Sequence, residues 1–197
     1  MKPALFIDFD GTLCHDRFWQ SLGERDYERI NNFLFNGGDL IDRWMRGKCN
    51  LEQVCEILSR KLDLGYKTLL EALEDDCRNM RIAAADLEKI DRLKNKYVVA
   101  IVTVNMDCFD RFTVPELGLD NHFDCIVNSY NEGVLKHGEN DGLLSVALAK
   151  TSADVNGSIL IDDSEKACTA FKKLGGRALQ VDQQKTLSYW LDHLLSL

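Results

Sequence analysis

Ala4-Leu-Phe-Ile-Asp-Phe-Asp-Gly-Thr-Leu13 is the stretch that decides the fold class. An apolar run drives straight into two carboxylates, Asp8 and Asp10, which fall on one side of an extended strand because side chains alternate with a period of two. Gly11 then lets the backbone turn away. Two like charges held together at a strand end are costly unless a cation or a shared proton joins them, and Mg2+ is the natural partner. Ser158-Ile-Leu-Ile-Asp-Asp-Ser164 repeats the device, with Asp162 and Asp163 between a second apolar run and a helix start.

Working outward, Leu5–Phe9, Tyr97–Val104, Phe123–Asn128, Ser158–Ile161 and Arg177–Val181 are apolar without strict alternation, the pattern of strands covered on both faces. Helical periodicity fills Asp86–Lys96, Gly142–Lys150 and Ser164–Leu174, and Gly175-Gly176 stops the last of these. This β/α alternation predicts a parallel sheet, whose strands present their C-terminal ends on one edge, so the two acidic pairs can meet there. Residues 14–85 break the alternation. Leu51, Val54, Cys55, Leu58 and Leu62 recur at helical spacing, as do Leu69, Leu70, Leu73 and Cys77. Asn50 and Gln53 are placed for a capping box, and Gly37-Gly38 and Gly47 punctuate what reads as a compact helical insert.

The 197 residues allow one large domain or a core with a smaller partner. A formal charge of −8 argues against binding a nucleic-acid backbone or an anionic membrane and favours a small ligand or a basic partner. No apolar run approaches the roughly twenty residues of a membrane span. The N-terminus carries Lys2 and turns acidic by Asp8, unlike a secretory signal. Seven cysteines without a CxxC pair or a zinc spacing read as reduced thiols in a cytoplasm.

Thr103 ends the second apolar run on the same sheet edge, with a hydroxyl able to donate to a phosphoryl oxygen. Lys136, in the loop Asn131-Glu-Gly-Val-Leu-Lys136, supplies an ammonium to balance the carboxylates and an incoming phosphate. In this order, strand-Asp8-x-Asp10-Gly-Thr-Leu, strand-Thr103, Lys136 and strand-Asp162-Asp163 resemble the four motifs of the haloacid dehalogenase (HAD) superfamily. Thr113-Val-Pro-Glu-Leu-Gly-Leu-Asp-Asn-His-Phe-Asp124 adds to the likeness, which runs the length of the chain.

The resemblance implies an α/β fold: a three-layer Rossmann-like core over residues 1–13 and 86–197, with an inserted all-helical cap over residues 14–85 and a hinge near residues 14–18. It implies that Asp8 is a nucleophile forming an aspartyl phosphate and that Asp10 is the acid/base. Asp8, Asp10 through its backbone carbonyl, and Asp162 with Asp163 would hold Mg2+, which of the last two touches the metal being left open. Thr103, Lys136, Asn105 and Gly11 would contact the phosphate. Two departures stand out: Val104 intervenes before Asn105, and His137 follows Lys136 where proline is usual.

These readings point to a Mg2+-dependent phosphatase acting on a small phosphorylated metabolite, as a monomer or homodimer. A phosphomutase of similar fold, or a non-catalytic interaction module, remains an alternative. A dehalogenase fits less well, because Asp10 supplies a proton that a departing halide does not need. A phosphoacceptor receiver domain is excluded by the order of its acidic groups. Substrate choice should lie in the cap, with Trp19, Arg43, Trp44 and Arg46 as candidates for stacking on a ring or gripping a second anion.

Overall fold

The computed structural model describes residues 2–36, 38–136 and 142–197. Gly37, expected to punctuate the insert, and His137, beside Lys136, lie outside the described residues. The five apolar runs form strands β1 (Ala4–Ile7), β2 (Val98–Thr103), β3 (Cys125–Asn128), β4 (Ile159–Asp162) and β5 (Arg177–Gln180). All neighbours pair in parallel, in the order β3-β2-β1-β4-β5. The chain builds outward from β1 to β3 on one side, then returns to place β4 and β5 on the other. The seam between β1 and β4 is therefore the topological switch point, the position at which open α/β sheets bind ligands.

Four helices occupy the insert: α1 (Glu24–Asn36), α2 (Leu40–Met45), α3 (Leu51–Leu62) and α4 (Tyr66–Arg78). α5 (Ala84–Leu93) leads into β2. A π-helical turn at Phe109–Thr113 and the short helices α6 (Val114–Glu116) and α7 (Leu119–His122) connect β2 to β3. The remainder are α8 (Ser129–Glu132), α9 (Gly142–Thr151), α10 (Glu165–Lys173) and α11 (Leu187–Ser196). Asn50 and Gln53 form the expected capping box at α3, and Ser164 caps α10 by accepting from the Ala167 N–H.

Strand alternation sorts the core into two faces. Leu5, Ile7, Ile101 and Ile161 pack with Ile90 of α5 and Leu191 of α11. Phe6, Ala100, Val102 and Leu160 face the other way, against Leu144 of α9 and Phe171 of α10. Both sheet faces are thus covered by helices, which is why these strands read as continuous apolar runs. Each Leu, Ile, Val or Phe side chain among them contributes about 1.5–3 kcal/mol on burial. Gly176 allows β5 to pass Phe171, since a Cβ there would lie 2.3 Å from the ring.

The insert buries its own apolar residues, among them Ile30, Trp44, Leu58 and Leu73, but does not close on itself. Met106, Cys108 and Phe112, from the segment after β2, complete that cluster. Asp107 ties the same junction with polar bonds, accepting from Nε1 of Trp44 at 2.7 Å and from the Leu51 N–H at 3.2 Å. The insert is thereby seated over the C-terminal edge of the sheet. All seven cysteines are unpaired and six are buried. Among the described residues, no helix is long and apolar enough to cross a membrane.

Candidate active site

β1 delivers the first acidic pair. Ile7 is its last residue, yet the Asp8 N–H still donates to the Ile161 carbonyl at 3.0 Å, which fixes Asp8 at the β1/β4 seam. The chain then winds tightly, with the Leu13 and Cys14 N–H groups both donating to the Phe9 carbonyl at 2.9 Å. β4 brings Asp162 to the other side of the seam, and Lys136 reaches in from the loop after α8. Its Nζ donates to Oδ1 of Asp8 and, at 2.7 Å, to Oδ2 of Asp162. The second oxygen of Asp162 accepts the Ser164 N–H at 2.8 Å.

Asp8, Asp162 and Asp163 each offer a carboxylate oxygen, all within 4.8 Å of one another. Asp8 and Asp162 are buried while Asp163 is exposed. One ammonium against three carboxylates leaves the cluster net negative, and its donors are all hard oxygens, the chemistry that suits a small dication. Burial raises the Asp8 carboxyl above its ordinary value against the opposing pull of Lys136. Burial alone would depress Lys136, but the Asp8 and Asp162 charges outweigh it and keep the ammonium charged. Thr103, at the end of β2, is fully buried, and among the described residues its Oγ1 has no hydrogen-bond partner. An unpaired buried hydroxyl is costly, and an anion seated at the strand ends would satisfy it. The residues present therefore fit both a dication and a phosphoryl group.

Asp10 stands outside this three-carboxylate group. Its Oδ2 accepts from Nδ2 of Asn105 at 2.7 Å, and burial pushes its pKa up to about 6, with Arg17 and Lys136 pulling the other way. A cavity of about 200 Å³ opens beside it, floored by Val104 and Met106 and walled by the insert. Asp10 thus stands between the acidic cluster and a cleft large enough for part of a ligand.

No protein-family model matches the chain, and comparison with curated proteins finds no match. Solved structures do match. A predicted HAD-like family hydrolase from Porphyromonas gingivalis is 20% identical, with a TM-score of 0.79 over 100% of this chain and 99% of that one. A HAD family enzyme from Bacteroides thetaiotaomicron, in complex with magnesium and inorganic phosphate, is 18% identical, with a TM-score of 0.73 over 96% of this chain and 99% of that one. L-2-haloacid dehalogenase from Xanthobacter autotrophicus is 17% identical, with a TM-score of 0.68 over 93% of this chain and 80% of that one. The chain has the HAD-like fold.

Within this HAD-like fold the structure brings Asp8, Asp10, Thr103, Lys136, Asp162 and Asp163 to one sheet edge, but four other expected site residues stand differently. Asn105 does not present its backbone donor to a phosphate, because its N–H donates to Oγ of Ser129 at 3.1 Å while its amide holds Asp10. The Gly11 N–H is likewise committed to the Cys14 carbonyl at 2.8 Å. Gly11 serves instead by its missing side chain: at φ 81° it lies under Asp163, where a Cβ would come within 2.5 Å of Oδ2. Arg43 is exposed and Arg46 pairs with Asp42, its Nε 3.5 Å from Oδ2. Neither lines the cavity, because Ile41, Trp44 and Met45 form the face of α2 that does.

The cation that does line it is Arg17, which the motifs of the HAD-like fold did not single out. Thr12 reads in the sequence only as part of the first motif, yet its Oγ1 accepts the Asp163 N–H at 3.1 Å. Ser129, part of the Asn128-Ser129 pair that adds to the resemblance but without an assigned role, donates its hydroxyl to the Met45 carbonyl at 2.7 Å and so ties the insert to Asn105. Tyr27 and Asn31 line the cavity from α1, and their spacing of one helical turn was the available signal.

Proposed function

We propose that this protein is a phosphatase of the HAD superfamily that hydrolyses a small phosphomonoester through an aspartyl phosphate on Asp8, with residues 14–85 as its cap. The observation that carries the reading is the joining of Asp8 to Asp162 by the buried Lys136 ammonium, within a three-carboxylate cluster at the same sheet edge as the Thr103 hydroxyl, which is unpartnered among the described residues. The HAD family enzyme of Bacteroides thetaiotaomicron in complex with magnesium and inorganic phosphate supports the same reading by analogy.

Asp8, Asp162 and Asp163 would hold Mg2+, which supplies positive charge to the phosphoryl oxygens and so offsets their repulsion from the carboxylates. Lys136 and Thr103 orient those oxygens. Asp8 attacks phosphorus as the bond to the ester oxygen breaks, and Asp10 gives its proton to that departing oxygen. Asp10, now a carboxylate held by Asn105, takes a proton from water as the water oxygen bonds to phosphorus and the bond to Asp8 breaks. Inorganic phosphate leaves and both acids return to their starting states. Asp10 also supports this reading over dehalogenation, because an alkoxide needs a proton on leaving and a halide does not. Most of the rate comes from positioning and charge stabilisation.

Phosphate release from a broad panel of phosphomonoesters, with and without Mg2+ and beside Asp8→Asn, tests the reading. Metal-dependent release that the substitution abolishes is the expected result. Release that persists in Asp8→Asn would contradict it, and conversion of a sugar phosphate to its isomer without free phosphate would point to a mutase.

A further inference from the structure

The cavity beside Asp10 has walls that the proposed chemistry does not use. From α1 it receives Tyr27, Asn31, Leu34 and Phe35, which share one helix face. Ile41 and Met45 of α2 continue an apolar surface. Trp19 and Trp44, with ring centroids 5.9 Å apart, complete it. Both indole donors are already committed: that of Trp19 to the Leu69 carbonyl at 2.7 Å and that of Trp44 to Oδ1 of Asp107 at 2.7 Å. The tryptophans thus offer an occupant no hydrogen bond and, at 2% and 0% exposure, back the apolar wall from within. Trp19 takes this place at φ 59°, a left-handed conformation that a bulky side chain keeps only where its surroundings compel it. Phe35 is 61% exposed, an aromatic ring left at the solvent edge of the cavity.

A sugar presents hydroxyls in every direction, and each one buried without a partner costs about 1–3 kcal/mol. Among the described lining residues, only Arg17, Tyr27 and Asn31 carry polar side chains besides Asp10 itself, and the other nine are apolar or aromatic. Size narrows the choice further. An apolar cavity of about 150 Å³ binds benzene, so the sheltered space of about 200 Å³ here matches a single ring with a short substituent.

We infer that this cavity recognises a one-ring apolar group, aromatic or cycloalkyl, on the alcohol side of the phosphoester. The position of the ester oxygen at Asp10 rests on the phosphatase reading, whereas the cavity's preference rests on its walls.

Benzyl phosphate and glucose 6-phosphate test it, since both are esters of primary alcohols and differ little in leaving-group chemistry. Mg2+-dependent kcat/KM is expected to be about tenfold or more higher for benzyl phosphate. Ile41→Asn, which puts an amide into the apolar wall, is expected to shrink that ratio by about fivefold. A parallel titration with benzyl alcohol and with glucose, read by tryptophan emission, needs no turnover; a saturable change is expected with benzyl alcohol alone. Equal or reversed kcat/KM values, or no response to benzyl alcohol, overturn the inference while leaving a phosphatase that releases phosphate intact. Binding of benzyl alcohol without phosphate release from any ester would instead overturn the phosphatase reading and leave the cavity's preference standing.

Discussion

The side-chain amide of Asn105 donates to Oδ2 of Asp10 at 2.7 Å, while its own carbonyl oxygen accepts the Met106 N–H at 2.9 Å. The amide is therefore clamped before it clamps the acid. Asn105→Ala is expected to lower kcat by about tenfold to a hundredfold, because a misplaced acid/base loses most of its effect. KM and the Mg2+ dependence should change little, since the phosphoryl and metal contacts lie elsewhere. A large rise in KM with kcat preserved would assign Asn105 to substrate binding instead.

Arg17 is the strongest influence holding down the pKa of Asp10, ahead of Lys136, while burial lifts it to about 6 and Asp163 adds to the rise. Asp10 must carry its proton when the ester oxygen departs, so kcat/KM falls as pH rises through that pKa. Removing the guanidinium charge disfavours the carboxylate and raises the pKa further. Arg17→Gln should therefore move the descending limb of the profile to higher pH, by about one unit at most. The ionisation of the substrate is common to both proteins, so the difference between their profiles reads Asp10. An unmoved limb would show that another group sets it.

Asp107 accepts from Nε1 of Trp44, from the first N–H of α3 and, at 3.0 Å, from Nη1 of Arg111. Asp107→Ala leaves a buried indole donor unpaired and removes an anion from a helix N-terminus. A loss of about 3 kcal/mol in unfolding free energy is expected from urea denaturation. Asp107→Asn, which keeps an acceptor for the indole, should lose less. Equal losses for the two variants would mean that the hydrogen bond to Trp44 contributes little.

Gly11→Ala places a Cβ within 2.5 Å of Oδ2 of Asp163 at a backbone φ of 81°. The left-handed conformation costs about 1 kcal/mol for a residue with a side chain, and the carboxylate must also move. The Mg2+ concentration for half-maximal activity should rise. An unchanged Mg2+ dependence would exclude Asp163 from the metal site.

The sheet was legible because strands covered on both faces leave apolar runs that end where chemistry begins, and Asp8, Thr103 and Asp162 all fall at such ends. The capping box at Asn50 was legible because its partner, Gln53, is local. Contacts made across the chain were not. Asp107 reads as an ordinary acid until α2 and α3 dock on it, and Ser129 until Met45 arrives. Arg43 and Arg46 attracted notice by charge and by nearness to Trp44, but the helical repeat turns them off the face that Trp44 presents to the cavity. α1 went unnamed because its residues Glu24–Asn36 are largely polar and only Ile30 and Leu34 are buried. The cavity-lining face of that helix is defined by a neighbour, the C-terminal edge of the sheet, that no local pattern reveals.

The phosphoryl group's passage through Asp8 is tested most directly by mixing Asp10→Asn with p-nitrophenyl phosphate and Mg2+, then quenching in acid. This ester's leaving oxygen needs no proton, so Asp8 can still be phosphorylated, while the water that should attack next has lost its base. A burst of p-nitrophenol matching the enzyme concentration, with the phosphoryl group on the peptide that carries Asp8, is expected. Steady release without a burst, or a phosphoryl group found on any other residue, would contradict the assignment of Asp8 as the nucleophile.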